Sequence, residues 1–451
     1  MRRANRRFIS MVNYTPLVHA LAWLLAYLAL LLWSFRVSLF KREKPTLSAR
    51  IFAYASMGGT AQKLAEQLAQ AHQTPAFSLN SLTCKTLGQA QELFIVASTY
   101  GEGEAPDNGR LFAEQLAGNT GDLSGLKFAV LGLGDSHYVQ YCAFAKQIFS
   151  LLSAKSAQPY FDLICVDRMD VQALVFWQEQ LRAHTTLSSV TLALEAADTF
   201  SSSLRQRELL NSGSQGGALY QLDFNVPKGV QWQAGDIVQL HKPARREYSI
   251  ASIPSEQVLR LLVRERHYAD GSLGLGSALL CRDLNLGESA TFSLRKNPSF
   301  YAAKASQPMI LIGNGTGLAG LRAHIAARPL GSLTWLIFGE RQPKYDAIWH
   351  DELRFWRETG RLSQLDLVFS RAPATDLPQA SFARWHSGYV QQVLHKHNLE
   401  LRSWLDQGAV IYLCGSRTGM AKDVELRLHA LLGEDGFKRL LAQDRLKRDL
   451  Y

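Results

Sequence analysis

The chain has 451 residues, 47% of them hydrophobic and 20% charged, with a formal net charge of +10. Its length exceeds what one hydrophobic core usually serves, about 250–300 residues, so several domains are expected. Nine Lys and Arg side chains lie in residues 1–50 against Glu43 alone, so +8 of the +10 sits there; this distribution argues against nucleic-acid binding as the meaning of the charge.

The five cysteines (Cys84, Cys142, Cys165, Cys281, Cys414) are scattered, with no CxxC spacing and no HExxH in the chain. They argue for a reducing compartment and against a disulfide framework or zinc site, and no metal is expected.

The first feature along the chain is the apolar stretch from Pro16 to Phe35, with Trp23 and Trp33 inside it and cations at both ends. About 20 residues make a helix of roughly 30 Å, enough to cross a bilayer. A cleaved signal peptide would end in small residues, yet Ser34-Phe35-Arg36-Val37 is bulky. Arg6-Arg7-Phe8 hints at twin-arginine export, but the apolar core is too strong for that, and only His19 interrupts it. Residues 1–49 are therefore expected to be a retained single-pass membrane anchor (helix about 16–35) with a basic tether. Charge leaves its orientation open, because both flanks are positive.

From 50 to 183, short apolar strands alternate with helical stretches. The strands are Arg50–Ala55, Leu93–Ser98, Phe128–Leu133 and Tyr160–Val166; the helices are Gln62–Ala71, Leu111–Leu116, Cys142–Ala154 and Val171–His184. Such alternation predicts a doubly wound parallel sheet with its ligand beyond the strand C-termini. Residues 184–203 are Ser/Thr-rich and read as a linker. From 204 to about 300, β-like segments with Gly/Pro turns predict a small antiparallel barrel. From 301 to 451, strands at Met309–Ile312, Leu333–Phe338, Leu365–Phe369 and Val410–Leu413 alternate with helices and predict a second open α/β sheet.

Loops at the strand ends carry the chemistry. Ser56-Met57-Gly58-Gly59-Thr60 offers backbone N–H groups and two hydroxyls at a helix N-terminus, suited to a phosphate monoester. Ser98-Thr99-Tyr100-Gly101 and the run Leu133-Gly134 to Tyr138 each follow a strand and each supply a Tyr, so two aromatic faces can sandwich a flat ring. Arg246 and Tyr248 share one face of a strand and Ser249 takes the other. Gly274-Leu275-Gly276-Ser277 opens a helix as a second anion cradle. Gly313-Asn314-Gly315-Thr316-Gly317 is a third glycine-rich strand-to-helix turn, suited to a pyrophosphate.

Together these loops make residues 50–451 resemble the diflavin reductases: NADPH–hemoprotein reductase, sulfite reductase flavoprotein and relatives. The first region resembles their flavodoxin-type FMN domain, and the rest resembles the FAD and NADPH domains of the ferredoxin–NADP reductase superfamily. The resemblance implies FMN at Ser56–Thr60, Ser98–Gly101, Leu133, Gly134 and Tyr138. It implies FAD at Arg246, Tyr248, Ser249, Gly274–Ser277 and Tyr451. It implies NADPH at Gly313, Gly315, Thr316, Gly317, Arg341, Ser370, Arg371, Tyr389, Gln391 and Cys414, with Ser370, Arg371 and Tyr389 on the 2′-phosphate. Ser249, Cys414 and Asp449 would be the hydride-transfer set, with the Tyr451 ring over the flavin.

Two departures stand out. Relatives often carry a Lys two residues before Tyr389, where this chain has Ser387. Only nine residues separate Gly235-Asp236 from Arg246, where eukaryotic-type reductases insert a connecting domain.

The expected activity is electron transfer from NADPH through FAD and FMN to a one-electron acceptor. A heme protein leads as acceptor; a sulfite reductase hemoprotein or ferric-siderophore reduction is the alternative, and a tethered flavin redox sensor without turnover is the rival of another class. The head is expected on the cytoplasmic side of a bacterial inner membrane, with a redox partner protein and no nucleic acid.

Overall fold

Three six-stranded sheets organise the described residues, 49–99, 103–187, 192 and 198–451 of the computed structural model. The first contains β1 (Arg50–Ala55), β2 (Ala76–Ser78), β3 (Glu92–Ser98), β4 (Lys127–Gly134), β5 (Gln158–Pro159) and β6 (Ile164–Asp167). Their spatial order is β2-β1-β3-β4-β5, with β6 also on β4. Leu93 to Ala97 are buried without a break, the mark of a parallel strand covered on both faces. Helices α1 (Thr60–Ala71), α2 (Asp107–Gly118), α3 (Ala143–Ala154) and α4 (Val171–His184) supply the cover. On α1, Ala61, Leu64, Ala65, Leu68 and Ala69 recur at helical spacing and are the buried face. The chain leaves β1 toward β2 on one side and returns to β3 on the other. The switch point therefore lies between Ala55 and Ser98, where a doubly wound sheet opens a crevice.

The second sheet is antiparallel: β7 (Thr199–Leu209), β8 (Leu219–Asn225), β9 (Ile237–Leu240), β10 (Arg246–Ser249), β11 (Val258–Arg264) and β12 (Ser289–Arg295), in the order β10-β9-β12-β7-β8-β11. An antiparallel barrel was expected; the observed element is a six-stranded sheet, with an isolated bridge between Ile250, next to β10, and Leu261 of β11. Strand β7 also begins inside the stretch read as linker to residue 203. Its serines pass as strand residues because their hydroxyls find partners: the buried Ser202 donates to the Asn225 carbonyl. The remaining linker positions 188–191 and 193–197 lie outside the described residues.

The third sheet is parallel throughout, in the order β16-β15-β14-β13-β17-β18, with β13 (Met309–Asn314), β14 (Thr334–Glu340), β15 (Gln364–Phe369), β16 (Arg384–Ser387), β17 (Val410–Gly415) and β18 (Leu446–Leu450). Central β13 divides its side chains between two cores: Met309 and Leu311 on one face, Ile310 and Ile312 on the other. The first of these cores also takes in Leu219, Ala251, Leu262 and Phe300, so the second and third sheets share one apolar interior. Arg322 reinforces that joint, donating to the Ala251 carbonyl at 2.7 Å and pairing with both Glu256 and Glu352. The first sheet keeps a core of its own around Phe52, Phe94 and Trp177.

The membrane reading is corrected. Among the described residues no helix is long and apolar enough to cross a membrane. The longest, Lys422–Ala442, has 21 residues but is broken at Gly433 and opens with Lys422, Asp423 and Glu425. The helix expected over residues 16–35 lies outside the described residues. The single-pass anchor and the cytoplasmic-side head at an inner membrane are therefore withdrawn as a description of this protein.

Candidate functional site

At the first switch point lies a cleft of about 730 Å³. Ser56, Gly58, Thr60, Ser98, Thr99, Leu133, Gly134 and Tyr138 line it, together with Gln140, Tyr141 and Cys142. Its walls are fixed by hydrogen bonds between loops. Ser56 N donates to Asn108 Oδ1 at 2.8 Å, Thr99 N to the Leu133 carbonyl at 3.1 Å, and Ser136 N to Asp167 Oδ1 at 2.8 Å. The buried Ser56 hydroxyl has no protein partner. A buried polar group without a partner is costly unless a ligand satisfies it, which fits a phosphate beside the start of α1.

A second cavity, about 110 Å³, is lined by Tyr248, Ser249, Asp449, Leu450 and Tyr451 with Glu247, Arg295, Arg448 and Met57. Here three groups meet. Ser249 Oγ donates to Asp449 Oδ2 at 2.6 Å, and the Cys414 thiol lies 3.7 Å from the same oxygen. Burial pushes the Asp449 carboxyl up from its ordinary range and pushes the Cys414 thiol up as well. Tyr451 is docked rather than frayed. Its amide donates to the Gly415 carbonyl at 3.1 Å, and its hydroxyl to Thr316 Oγ1 at 2.9 Å. Beside this group, a Cβ added at Gly276 would meet Arg246 Cγ at 2.8 Å and the Tyr248 hydroxyl at 3.0 Å. The Gly274–Ser277 turn and the β10 strand therefore form one cradle that a larger residue would close.

The third cavity, about 340 Å³, opens at the C-terminal ends of β13, β14 and β15. Gly315, Arg341, Ser370, Tyr389 and Gln391 line it, with Arg264, Asn314, Glu340 and Asp423. Two cationic side chains and an exposed Tyr ring suit a phosphorylated nucleotide. Gly317 allows the turn to close: a Cβ there would sit 2.0 Å from the Cys414 carbonyl oxygen.

Two family models match separate parts of the chain. The Flavodoxin family matches residues 53–176, and the Oxidoreductase NAD-binding domain matches residues 311–426. Similar curated proteins are sulfite reductase [NADPH] flavoprotein alpha-components. That of Thiocapsa roseopersicina is 27% identical over 84% of this chain and 82% of its own length. Those of Aliivibrio fischeri and Bacillus subtilis are 23% and 24% identical, each covering 88% of both chains. This chain is an NADPH-dependent diflavin reductase. Its cofactors are FMN, FAD and NADPH.

The reductase brings most of the residues singled out from the sequence to these three cavities, but not all. Met57 leaves its loop neighbours and lines the second cavity instead of the first. Gly59 caps α1 without lining the cleft, and Tyr100 and Gly101 lie outside the described residues. Leu275 is exposed, and the Ser277 hydroxyl turns inward to the Gly274 carbonyl at 3.0 Å. Gly313, Thr316, Gly317 and Cys414 are not among the residues that line the third cavity. Arg371, expected at the 2′-phosphate, is exposed on the rim with Nη1 3.4 Å from Gln215 Oε1.

Sequence reasoning missed Arg264, Glu340, Glu247 and Arg295. None belongs to a glycine-rich turn; Arg264, Glu340 and Arg295 end strands β11, β14 and β12, and Glu247 lies inside β10. Arg264 Nη2 donates to Glu340 Oε1 at 2.8 Å, and burial still pushes that carboxyl up to about 7. Nor was any metal group expected, yet Asp366, His386 and His397 bring their ligand atoms within 4.8 Å of one another. The Asp366 carboxylate already accepts from Trp335, from His386 and twice from Arg384, whose fixed positive charge opposes a cation there.

Proposed function

We propose that the reductase passes electrons from NADPH through FAD and FMN to the hemoprotein component of a sulfite reductase. The observation that carries the choice of acceptor is the set of relatives, which are sulfite reductase flavoprotein alpha-components aligned over most of their length. In this reading the first cavity holds FMN, the second the reacting end of FAD, and the third the NADPH phosphates. Bound flavins supply the conversion of one hydride into two single-electron steps.

The protein's own part is positioning and proton control. Asp449 Oδ2 receives the Ser249 hydroxyl and faces the Cys414 thiol, holding both donors beside the point where the nicotinamide must arrive. Tyr451 occupies the boundary between the first two cavities, lining both, and so guards the FAD face. Glu247 and Leu450 also line both, which supports direct flavin-to-flavin transfer without a connecting domain. Arg341, Arg264, Ser370 and Tyr389 hold the nucleotide.

A decisive experiment mixes the NADPH-reduced holoenzyme with an isolated sulfite reductase hemoprotein in a stopped-flow instrument. Heme reduction at a rate matching steady-state sulfite turnover is expected. Rapid reduction of cytochrome c with an unreactive sulfite reductase heme would overturn the choice of acceptor while leaving the diflavin chemistry intact.

A further inference from the structure

Two of the five cysteines, remote from one another in sequence, come together at the wall of the first cleft. Cys142 lines that cleft and is itself fully buried; it precedes α3 with φ of 52°, a left-handed position that an L residue adopts at a cost. Cys165 lies on β6, paired in register with Gly132 of β4. Paired residues of a parallel ladder project to the same face, and Gly132 projects nothing. A Cβ placed there would meet Cys142 Cβ at 3.3 Å and Cys165 Sγ at 3.3 Å. The empty space over Gly132 is thus filled from both sides by the two cysteines. Each thiol shifts the other: Cys142, with Lys146 assisting, holds the Cys165 thiol below its ordinary range, while Cys165 and burial push the Cys142 thiol up. A thiolate beside a protonated thiol is the pairing that thiol–disulfide chemistry requires.

We propose that Cys142 and Cys165 are a redox-active dithiol that closes to a disulfide in the oxidised reductase and is reopened by electrons arriving at the FMN cleft. Closure forms one S–S bond and breaks two S–H bonds, and the two electrons and two protons pass to a peroxide, which becomes water. Reopening takes the two electrons and one proton of a single NADPH hydride, with the second proton from solvent. The pair makes the cleft wall sensitive to oxidant and gives the enzyme an acceptor within its own chain.

The inference rests on the FMN assignment of this cleft only for reopening, so its two halves are tested separately. The native holoenzyme is treated with a small excess of hydrogen peroxide, quenched with N-ethylmaleimide, denatured with more reagent and weighed by mass spectrometry. The expected product loses two of the five maleimide adducts, with peptide mapping placing the link between Cys142 and Cys165. Cys142→Ser and Cys165→Ala should each retain all four of their own adducts. Anaerobic NADPH should then restore five adducts in the holoenzyme and fail to do so in protein stripped of FMN. Five adducts after peroxide, or a link to any other cysteine, overturns the dithiol. A Cys142–Cys165 link that survives full flavin reduction overturns the coupling to the cleft, and equal restoration without FMN does the same.

Discussion

Glu340 shows how a single buried carboxyl can tie the third cavity to pH. It lines that cavity, and its side chain is only 5% exposed. Burial raises its pKa from 4.5 to about 7 against the pull of Arg264. A group whose folded pKa lies above its unfolded value contributes stability below the unfolded value and loses it as pH rises through the folded one. Glu340 should therefore cost the fold on the order of 3 kcal/mol between pH 5 and pH 8. Glu340→Gln removes that dependence, so its stability relative to the parent should improve by this amount across the window. Urea unfolding at both pH values checks it, and a constant difference between the two proteins would count against the buried-charge account. Tyr451 offers a second test at this scale. Its hydroxyl bond to Thr316 holds the ring at the edge of two cavities, where in the proposed function nicotinamide would have to displace it. One hydrogen bond is worth ~1 kcal/mol, so deleting Tyr451 should raise NADH-driven turnover about fivefold more than NADPH-driven turnover. Steady-state kinetics with both nucleotides decide this, and an unchanged ratio would make the contact merely structural.

At the scale of elements, each cavity sits where strands end. β13, β14 and β15 deliver Gly315, Arg341 and Ser370 to one rim, because parallel strands release their loops on the same side. Both arginines reach Gln215, Arg341 its carbonyl at 3.1 Å and Arg371 its side chain at 3.4 Å, but of the two Arg341, directly after β14, lines the cavity. Both look alike in sequence, as a cation just past an apolar strand. The structure separates them, and the prediction follows. Arg341→Ala should weaken NADPH binding by about 10- to 150-fold, the worth of a charge-assisted bond, with Arg371→Ala costing far less. Isothermal titration with NADP⁺ measures both; equal losses would return Arg371 to the phosphate. β18 teaches the same lesson from the other direction. The last strand pairs Cys414 with Asp449, converting an end of the chain that reads as polar into the edge of a sheet.

At the scale of the molecule, the reductase has one firm joint and one charged joint. The second and third sheets share an apolar core, whereas the first meets the third through ions: Arg448 bonds Asp107 and Glu425, Arg110 lies 3.4 Å from Glu425, and Arg417 lies 3.8 Å from Glu104. Such contacts are specific yet sensitive to salt, where apolar burial is not. Arg448→Ala should slow flavin-to-flavin transfer by about tenfold while sparing hydride transfer to FAD, since it leaves Asp107 without its charged partner. Stopped-flow absorbance resolves the two phases, and a slowing of the first phase alone would show that Arg448 acts on the hydride site instead. Ionic strength near 1 M, where screening reaches ~3 Å, should reproduce part of the effect in the unaltered enzyme.

Much of the design was legible in the chain because it rests on local chemistry. Apolar strand runs, glycine-rich turns and their order reveal two α/β sheets and the loops at their strand ends, since hydrophobic periodicity and backbone conformation are properties of short segments. The serines of β7 hid a strand, because their hydroxyls become acceptable only once Asn225 arrives from a neighbour. The pairing of Ser249 with Asp449, 200 residues apart, could be anticipated by resemblance alone, and no spacing rule reaches so far. The meeting of Cys142 with Cys165 over Gly132, the rise of the Glu340 pKa and the divergence of Arg341 from Arg371 had no sequence signal at all. Each depends on what lies within a few ångströms across the fold, and that proximity is set by packing, not by order along the chain.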